Sequence, residues 1–430
     1  METGEKIYGF EVKEKKYVRE VEGDIIQMEH LSTGAQVVVI DNQDVKKSFL
    51  VGFRTIPKDS TGVFHILEHS VLNGSRRYPD KAMFVNLMKH SMAEFVNAIT
   101  YPDHTVYPFC TENEKDFMNL MDVYLNAVFC PNVLTDKEIF EQEGWHFQCE
   151  DGKAPEINGV VYNEMKGAFS SPDGVLDRMI LNSLFPDTTY ANESGGDPDV
   201  IPELTYEEYL NFHRTYYHPS NSYIYLYGNM DMEEKLNWLD QEYLSAYDRK
   251  EVDSEIHLQK PFEQMHDITK PYSIASNEST EDNTYLSYNK VIGTSLDEKL
   301  YLAFQILDYA LLSAPGAPIT KALLEAGIGK DISGSYDSST YQPIFSIVAK
   351  NANEEQKAEF VKVIEDTLKA IVENGMDKKA LEAGINYHEF RYREADFGGY
   401  PKGLMYGLQI FDSWLYDETK PFIHVEALDT

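Results

Sequence analysis

The sequence predicts an α+β protein built from two related domains. Strand-like and helical patterns alternate along the chain, a charged stretch without periodicity divides it, and a strand–helix pair before the divide is echoed after it. The length, 430 residues, suits two or three domains of roughly 150–200 residues. Hydrophobic residues make up 42% and aromatic residues 13%, enough apolar mass for large cores.

The elements follow in order. "AQVVVIDNQDVKKSFLVGFRT" reads as two strands around a turn at Asn42 and Asp44. A helix follows in "TGVFHILEHSVLNGS", residues 61–75. "EKDFMNLMDVYLNAVFCP" repeats apolar residues at helical spacing and stops at Pro131. "LTDKEIFEQEGWHFQCE" opens another helix, with Thr135 as its N-cap and Glu138 three residues on. "GVVYNEMKGAF" begins with a short β-branched run and turns helical. "LTYEEYLNFHRTYYHPSNSYIYLYGNM" reads as a capped helix, a Pro-Ser-Asn turn and an alternating strand that ends at Gly228. Residues 248–270 are charged and aperiodic. They read as a linker between a first domain at 1–247 and a second at 271–430. In the second, "TYLSYNKVIG" is a strand and "LDEKLYLAFQILDYALLSAPG" a helix. Set over "FHILEHSVLNGS", the stretch "FQILDYALLSAP" keeps Phe, Ile and Leu in register. His65 becomes Gln305, Glu68 becomes Asp308 and His69 becomes Tyr309. If the copies share a fold, the apolar frame persists and the chemistry has gone.

The formal charge is −34, which argues against nucleic acid and against an anionic membrane surface as partners. It favours basic ligands, or it serves general solubility. No run of about 18 apolar residues occurs, so no transmembrane helix is expected. The charged stretch "METGEKIYGFEVKEKKYVRE" has no apolar core of a secretory signal. Cys110, Cys130 and Cys149 fit neither a zinc ribbon nor a disulfide framework, and a reduced, cytoplasmic setting is the expectation.

The 61–75 helix carries the chemistry. His65 and His69 are four apart and share one face, with Glu68 beside them, inside an apolar run that buries the helix. A buried face does not hold three ionisable groups without a partner. Two histidines at that spacing are natural zinc ligands, and the order H-x-x-E-H is the inverted form of the zinc-peptidase motif. A catalytic zinc needs a third protein ligand and an open position. Glu164 in "GVVYNEMKG", 164 − 69 = 95 residues past the second histidine, is the best candidate, with His146, Cys149 and His104 as rivals on spacing alone. Glu143 in "FEQEGWHF" could orient a ligating histidine. Zinc so held polarises a scissile carbonyl and brings the pKa of water to about 7. Glu68 then acts as the general base.

The stretches "HILEHSVLNGS", "MAEFVNAITYPDHTVYPFCTENEKDFMNLMDVYLNAVFCP", "FEQEGWHF", "GVVYNEMKGAF" and "SGGDPDVIPELTYEEYLNFHRTYYHPSNSYIYLYGN" resemble the pitrilysin/insulinase family of zinc peptidases, in its presequence-protease and falcilysin branch. "GLMYGLQIFDSWLYD" matches more weakly. The resemblance covers essentially the whole chain. It implies one Zn2+ held by His65, His69 and Glu164, with Glu68 as base. It implies two homologous domains, each a mostly antiparallel sheet backed by helices, forming half of a clamshell peptidase. It implies unstructured peptides as substrates, held as an added strand on residues 95–100, where Asn97 and Ala98 sit. An apolar pocket would fall on Met83, Phe84 and Leu87.

Enzymes of that branch are about twice this length, and their second half supplies an arginine and a tyrosine that bind substrate and stabilise the oxyanion. Residues 390–400, "FRYREADFGGY", hold both residue types but match the second domain's own helix, and "HVEALDT" carries no closing motif. The chain therefore looks like an N-terminal half, whose partner is the C-terminal half of the same enzyme or a separate subunit. Loss of one oxyanion donor costs about 10²–10³ in rate. The leading expectation is a zinc endopeptidase half. The alternative is a non-catalytic peptide-binding or scaffold subunit. A purely structural zinc is weaker still, because such sites close with four protein ligands.

Overall fold

The computed structural model describes residues 1–393 and 397–426, with the side chains of 391–393 outside that description. Residues 390–400 and the terminal "HVEALDT" therefore lie partly outside the described residues. The chain divides into two compact units. The first comprises Met1–Phe169, Phe185–Gln259 and Phe397–Val425.

The first unit begins with β1 (Lys6–Ile7), β2 (Phe10–Val18), β3 (Gly23–His30), β4 (Gln36–Asp41) and β5 (Lys47–Arg54). Then come α1 (Val63–Val71), α2 (Met83–His90), β6 (Phe95–Val96), β7 (Ile99–Thr100), β8 (His104–Thr111), α3 (Glu114–Phe129), α4 (Lys137–Glu143), β9 (His146–Gln148), β10 (Glu156–Asn158) and α5 (Val160–Ala168). The next helix, α6 (Pro172–Leu184), belongs to the second unit. The first resumes with α7 (Tyr206–Tyr216), β11 (Ser222–Gly228) and α8 (Met232–Glu242).

The main sheet runs β1-β2-β3-β4-β11-β5-β8-β6, with β7 also paired to β8. Its pairs are antiparallel except β11 with β4. The two strands expected around Asn42 and Asp44 exist, but they do not pair with each other. β11 lies between them, parallel to β4 and antiparallel to β5. The turn spreads to admit it: Asn229 N–H donates to Asp44 O at 2.8 Å, and Gly228 passes close to Lys46 O.

β11 is buried on both faces. Ile224 and Leu226 join the core under the helices, together with Phe64, Ile66, Leu67, Leu120 and Tyr124. Tyr223, Tyr225 and Tyr227 face the other way. Full burial of one such large apolar side chain stabilises by about 2 kcal/mol, so a strand apolar on both faces demands two covers.

The second unit holds residues 170–184 and 260–393. Its elements are α6, β12 (Thr284–Val291), α9 (Glu298–Asp308), α10 (Pro318–Glu325), β13 (Asp331–Asp337), β14 (Ile344–Ala352), α11 (Lys357–Asn374) and α12 (Lys378–Arg393). The sheet is antiparallel, in the order β12-β14-β13, and packs Leu286, Ile347, Ile319, Leu323, Phe360 and Ile364 into its own core. β12 precedes α9 as β5 precedes α1. At the position matching His69, Tyr309 stacks on Tyr387 with centroids 5.0 Å apart. Aromatic packing takes the place of the second histidine, while at the position matching Glu68 burial raises the pKa of Asp308 to about 6.

The last helix, α13 (Lys402–Trp414), corrects the expected boundary at 271–430. It packs on the tyrosine face of β11 in the first unit. Gly403 and Gly407 are one turn apart, and a Cβ at either would collide with the rings of Tyr227 and Tyr225. Tyr225 Oη donates to Gly403 O at 2.7 Å, and Trp414 is fully buried. Residues 248–259 also belong to the first unit rather than to a free linker. Ser254 Oγ bonds Asn221 Oδ1 at 2.7 Å, and Gln259 Nε2 bonds Asp187 Oδ2 at 2.7 Å. The helix expected from Thr135 is capped instead by Asp136, whose side chain accepts from Glu138 N–H. The β-branched pair Val160–Val161 is helical from the start. No helix among the described residues is long and apolar enough to cross a membrane.

Beneath α7, His213 is almost fully buried and its Nε2 donates to Val128 O at 2.8 Å. Burial, only partly offset by that bond, lowers its pKa to about 4. The unfolded chain, near 6.5, binds the proton first, so stability contributed by neutral His213 is present above pH 6.5 and is lost as pH falls toward 4. Urea unfolding at pH 7 and pH 5 is expected to differ by about 2 kcal/mol from this residue alone. His213→Asn is expected to remove that part of the difference.

Candidate metal centre

α1 starts at Gly62, whose φ of +68° suits glycine. A Cβ there would meet Gly195 O and Gly196 Cα at 2.7 Å, so the helix start is pressed against the 195–196 loop. Val63, Phe64, Ile66, Leu67 and Val71 bury one side of α1 in the core. The other side presents His65, Glu68 and His69.

Each histidine is held at Nδ1. His65 Nδ1–H donates to Gly195 O at 2.9 Å. His69 Nδ1 faces Glu143 Oε2 at 3.4 Å, and Glu143 is itself buried and takes a hydrogen bond from Gln142 Nε2 at 3.0 Å. A proton on Nδ1 leaves the Nε2 lone pair free. Both Nε2 atoms converge on Glu164, with His65 Nε2 to Oε1 and His69 Nε2 to Oε2 each 3.7 Å. Ligand atoms of the three residues all lie within 4.8 Å of one another. The two helices that carry Glu143 and Glu164 meet where Gly159, just before α5, lies on Gly144, just after α4. A Cβ at Gly159 would sit 2.1 Å from Gly144 O.

Two imidazole nitrogens and a carboxylate match the donor set of a catalytic zinc. Glu164 is about half exposed, with 54% of its side chain accessible, so one side of the group opens to solvent. Burial, the largest influence, disfavours the charged His69 ring. The Glu143 hydrogen bond and the charges of Glu68, Glu143 and Glu164 together outweigh it and raise its pKa. A cation at the centre would replace that proton.

Glu68 points beside the trio, and its Oε2 accepts from Thr100 Oγ1 at 2.6 Å. Neither Thr100 nor the Gly195 carbonyl carried a sequence signal. Thr100 lay within the 95–100 stretch already singled out. A backbone carbonyl has no residue type to read. The rival ligands are elsewhere. His104 is buried and bonded to Asp103, the Nδ1 of His146 donates to Glu141 O, and Cys149 is exposed. β6 and β7 form one end of the main sheet, as expected for residues 95–100. Asn97 is exposed, but its N–H donates to Pro108 O and its carbonyl accepts from Tyr124 Oη. Ala98 and Met83 are buried in the core, and Phe84 and Leu87 are half-buried against it.

The family described as Insulinase (Peptidase family M16) matches residues 48–154, and the Peptidase M16 inactive domain matches 203–387. Protein HypA of Clostridium perfringens is 53% identical over 97% of this chain and 43% of its own length. Presequence protease 1, chloroplastic/mitochondrial, of Arabidopsis thaliana is 42% identical over 95% of this chain and 38% of its own length. The crystal structure of pitrilysin superposes with a TM-score of 0.65 at 17% identity, over 97% of this chain and 44% of that one. The chain belongs to the M16 peptidase family, in its presequence-protease branch, and corresponds to the N-terminal half. It spans about two fifths of the length of the curated relatives it matches.

Replacing His65, His69 or Glu164 by Ala is expected to abolish stoichiometric zinc binding, measured by metal analysis after dialysis. Glu143→Ala is expected to retain zinc but to weaken it about 10–100-fold in a chelator competition, because His69 loses its orienting acceptor.

Proposed function

We propose that this chain is the catalytic half of a zinc metalloendopeptidase that hydrolyses short unstructured peptides. The observation that carries the reading is the convergence of two Nδ1-anchored imidazoles and Glu164 beside a carboxylate, Glu68, left free of the ligand set. Zinc, when bound by His65, His69 and Glu164, supplies a Lewis acid that polarises the scissile carbonyl and acidifies water. Glu68 takes the proton of the attacking water as its oxygen bonds to the carbonyl carbon. The C–N bond then breaks, and Glu68 returns that proton to the leaving amine. Thr100 holds one Glu68 oxygen and leaves the other for this work.

The terminal strands at residues 95–100 are assigned the peptide, added as a further strand, with Asn97 and Ala98 along its path. Phe84 and Leu87, over Met83, are assigned its apolar side chains. The acidic balance suits basic peptides. A second half, on the same polypeptide or a partner subunit, is assigned the arginine and tyrosine of the oxyanion site. Three free cysteines support a reducing, cytoplasmic setting. A second reading, a non-catalytic peptide-binding subunit, draws on the match of 203–387 to the inactive domain.

A quenched unstructured peptide of about 20 residues, incubated with the zinc-loaded chain, tests the proposal. Turnover is expected to vanish with a chelator and in Glu68→Gln, which keeps its zinc. Full activity in Glu68→Gln would refute the assigned base. One bound zinc without turnover would favour the peptide-binding reading for the isolated half.

A further inference from the structure

Asp103 is fully buried, yet it touches none of the metal-binding residues. Its Oδ1 accepts from His104 Nδ1 at 2.6 Å. Its Oδ2 accepts from the hydroxyls of Tyr190 at 2.5 Å and Tyr416 at 2.7 Å. A buried carboxylate is costly unless such donors satisfy it, and charge-assisted bonds to it are strong and directional. Two of the three donors lie on segments that end at the metal centre.

The first route runs through Tyr190. This residue sits at the head of the 189–196 loop, whose base is tied to the lead-in of α1. Thr189 Oγ1 and Asn192 Nδ2 donate to Pro57 O at 2.8 and 3.1 Å, and Glu193 N–H donates to Ser60 Oγ at 3.0 Å. The same loop delivers Gly195 O to His65 Nδ1. The second route runs through the turn 101–104. Tyr101 N–H donates to His104 O at 2.8 Å, and the Tyr101 ring stacks on the His104 imidazole with centroids 4.4 Å apart and planes 8° apart. The residue before Tyr101 is Thr100, whose hydroxyl holds Glu68.

We propose that Asp103 is a positioning residue of the metal centre, acting through Tyr190 on His65 and through the 101–104 turn on Glu68. This rests on the metal reading above. Tyr416 provides the internal control. It donates to the same oxygen as Tyr190, but it belongs to the chain beyond α13 rather than to the 189–196 loop or the 101–104 turn.

The test compares Tyr190→Phe, Tyr416→Phe and Asp103→Asn in the whole chain. Three quantities are read: zinc affinity by chelator competition, the visible spectrum of the cobalt(II)-loaded protein, and thermal unfolding without metal. Tyr190→Phe and Asp103→Asn are expected to weaken zinc about tenfold or more and to shift the cobalt bands. Tyr416→Phe is expected to lower the unfolding temperature as much as Tyr190→Phe, with wild-type zinc affinity and spectrum. Wild-type affinity in all three variants overturns the proposal. So does an equal loss in all three, which marks general loosening. Should Asp103→Asn not fold, the two tyrosine variants decide. A wild-type chain that binds no zinc refutes the metal reading and this assignment together, a result distinct from zinc-binding variants that cannot be told apart.

Discussion

The contacts at the two histidine Nδ1 atoms, a hydrogen bond to Gly195 O and a 3.4 Å approach to the Glu143 carboxylate, are the constraint on which the rest of the site depends. An imidazole on a helix can turn about its outer torsion and present either nitrogen. Gly195 O and Glu143 remove that freedom, one ring each, and they come from separate segments, the 189–196 loop and the end of α4. The glycine contacts around the site follow from the same requirement. Gly62 lets α1 start directly on the loop that carries Gly195, and Gly159 lets α5 start directly after α4. With any side chain at those points, the acceptors would stand off and the Nε2 atoms would no longer share a focus with Glu164.

Charge explains why the arrangement calls for a cation. Glu68, Glu143 and Glu164 surround His69 and draw positive charge to it. In a chain of formal charge −34 there is little compensating field from elsewhere. The second unit keeps the same strand-before-helix frame with one acid, Asp308, at the position of Glu68 and with Tyr309 stacked on Tyr387 where His69 would stand.

Much of this was legible in the sequence because it was local. The H-x-x-E-H helix, α3 ending before Pro131, the Thr205-capped α7 and the strands flanking Asn42 each follow from patterns a few residues long. Glu164 was one candidate among four on spacing, and the family resemblance singled it out. What could not be read depended on distant pairing. Nothing in 36–54 announces that β11 will part β4 from β5. The tyrosine alternation in β11 implies a second cover without saying that α13 supplies it. Thr100 and Gly195 reach Glu68 and His65 from 32 and 130 residues away, the latter through backbone alone. Met83 and its neighbours have the same apolar character whether they line a pocket or pack a core.

The return of residues 397–425 to the first sheet has a consequence for biosynthesis. Domains ordinarily fold as they emerge from the ribosome, in order. Here the strand that bridges β4 and β5 is made by residue 228, but the helix that covers its tyrosine face is made only after the 260–393 stretch of the second unit. Through that interval a row of large aromatic rings lies bare on a central strand of the nascent chain. Vectorial synthesis thus leaves that face of the first unit without its helix until residue 414 has been polymerised, an interval in which bare aromatic surface invites aggregation and chaperones.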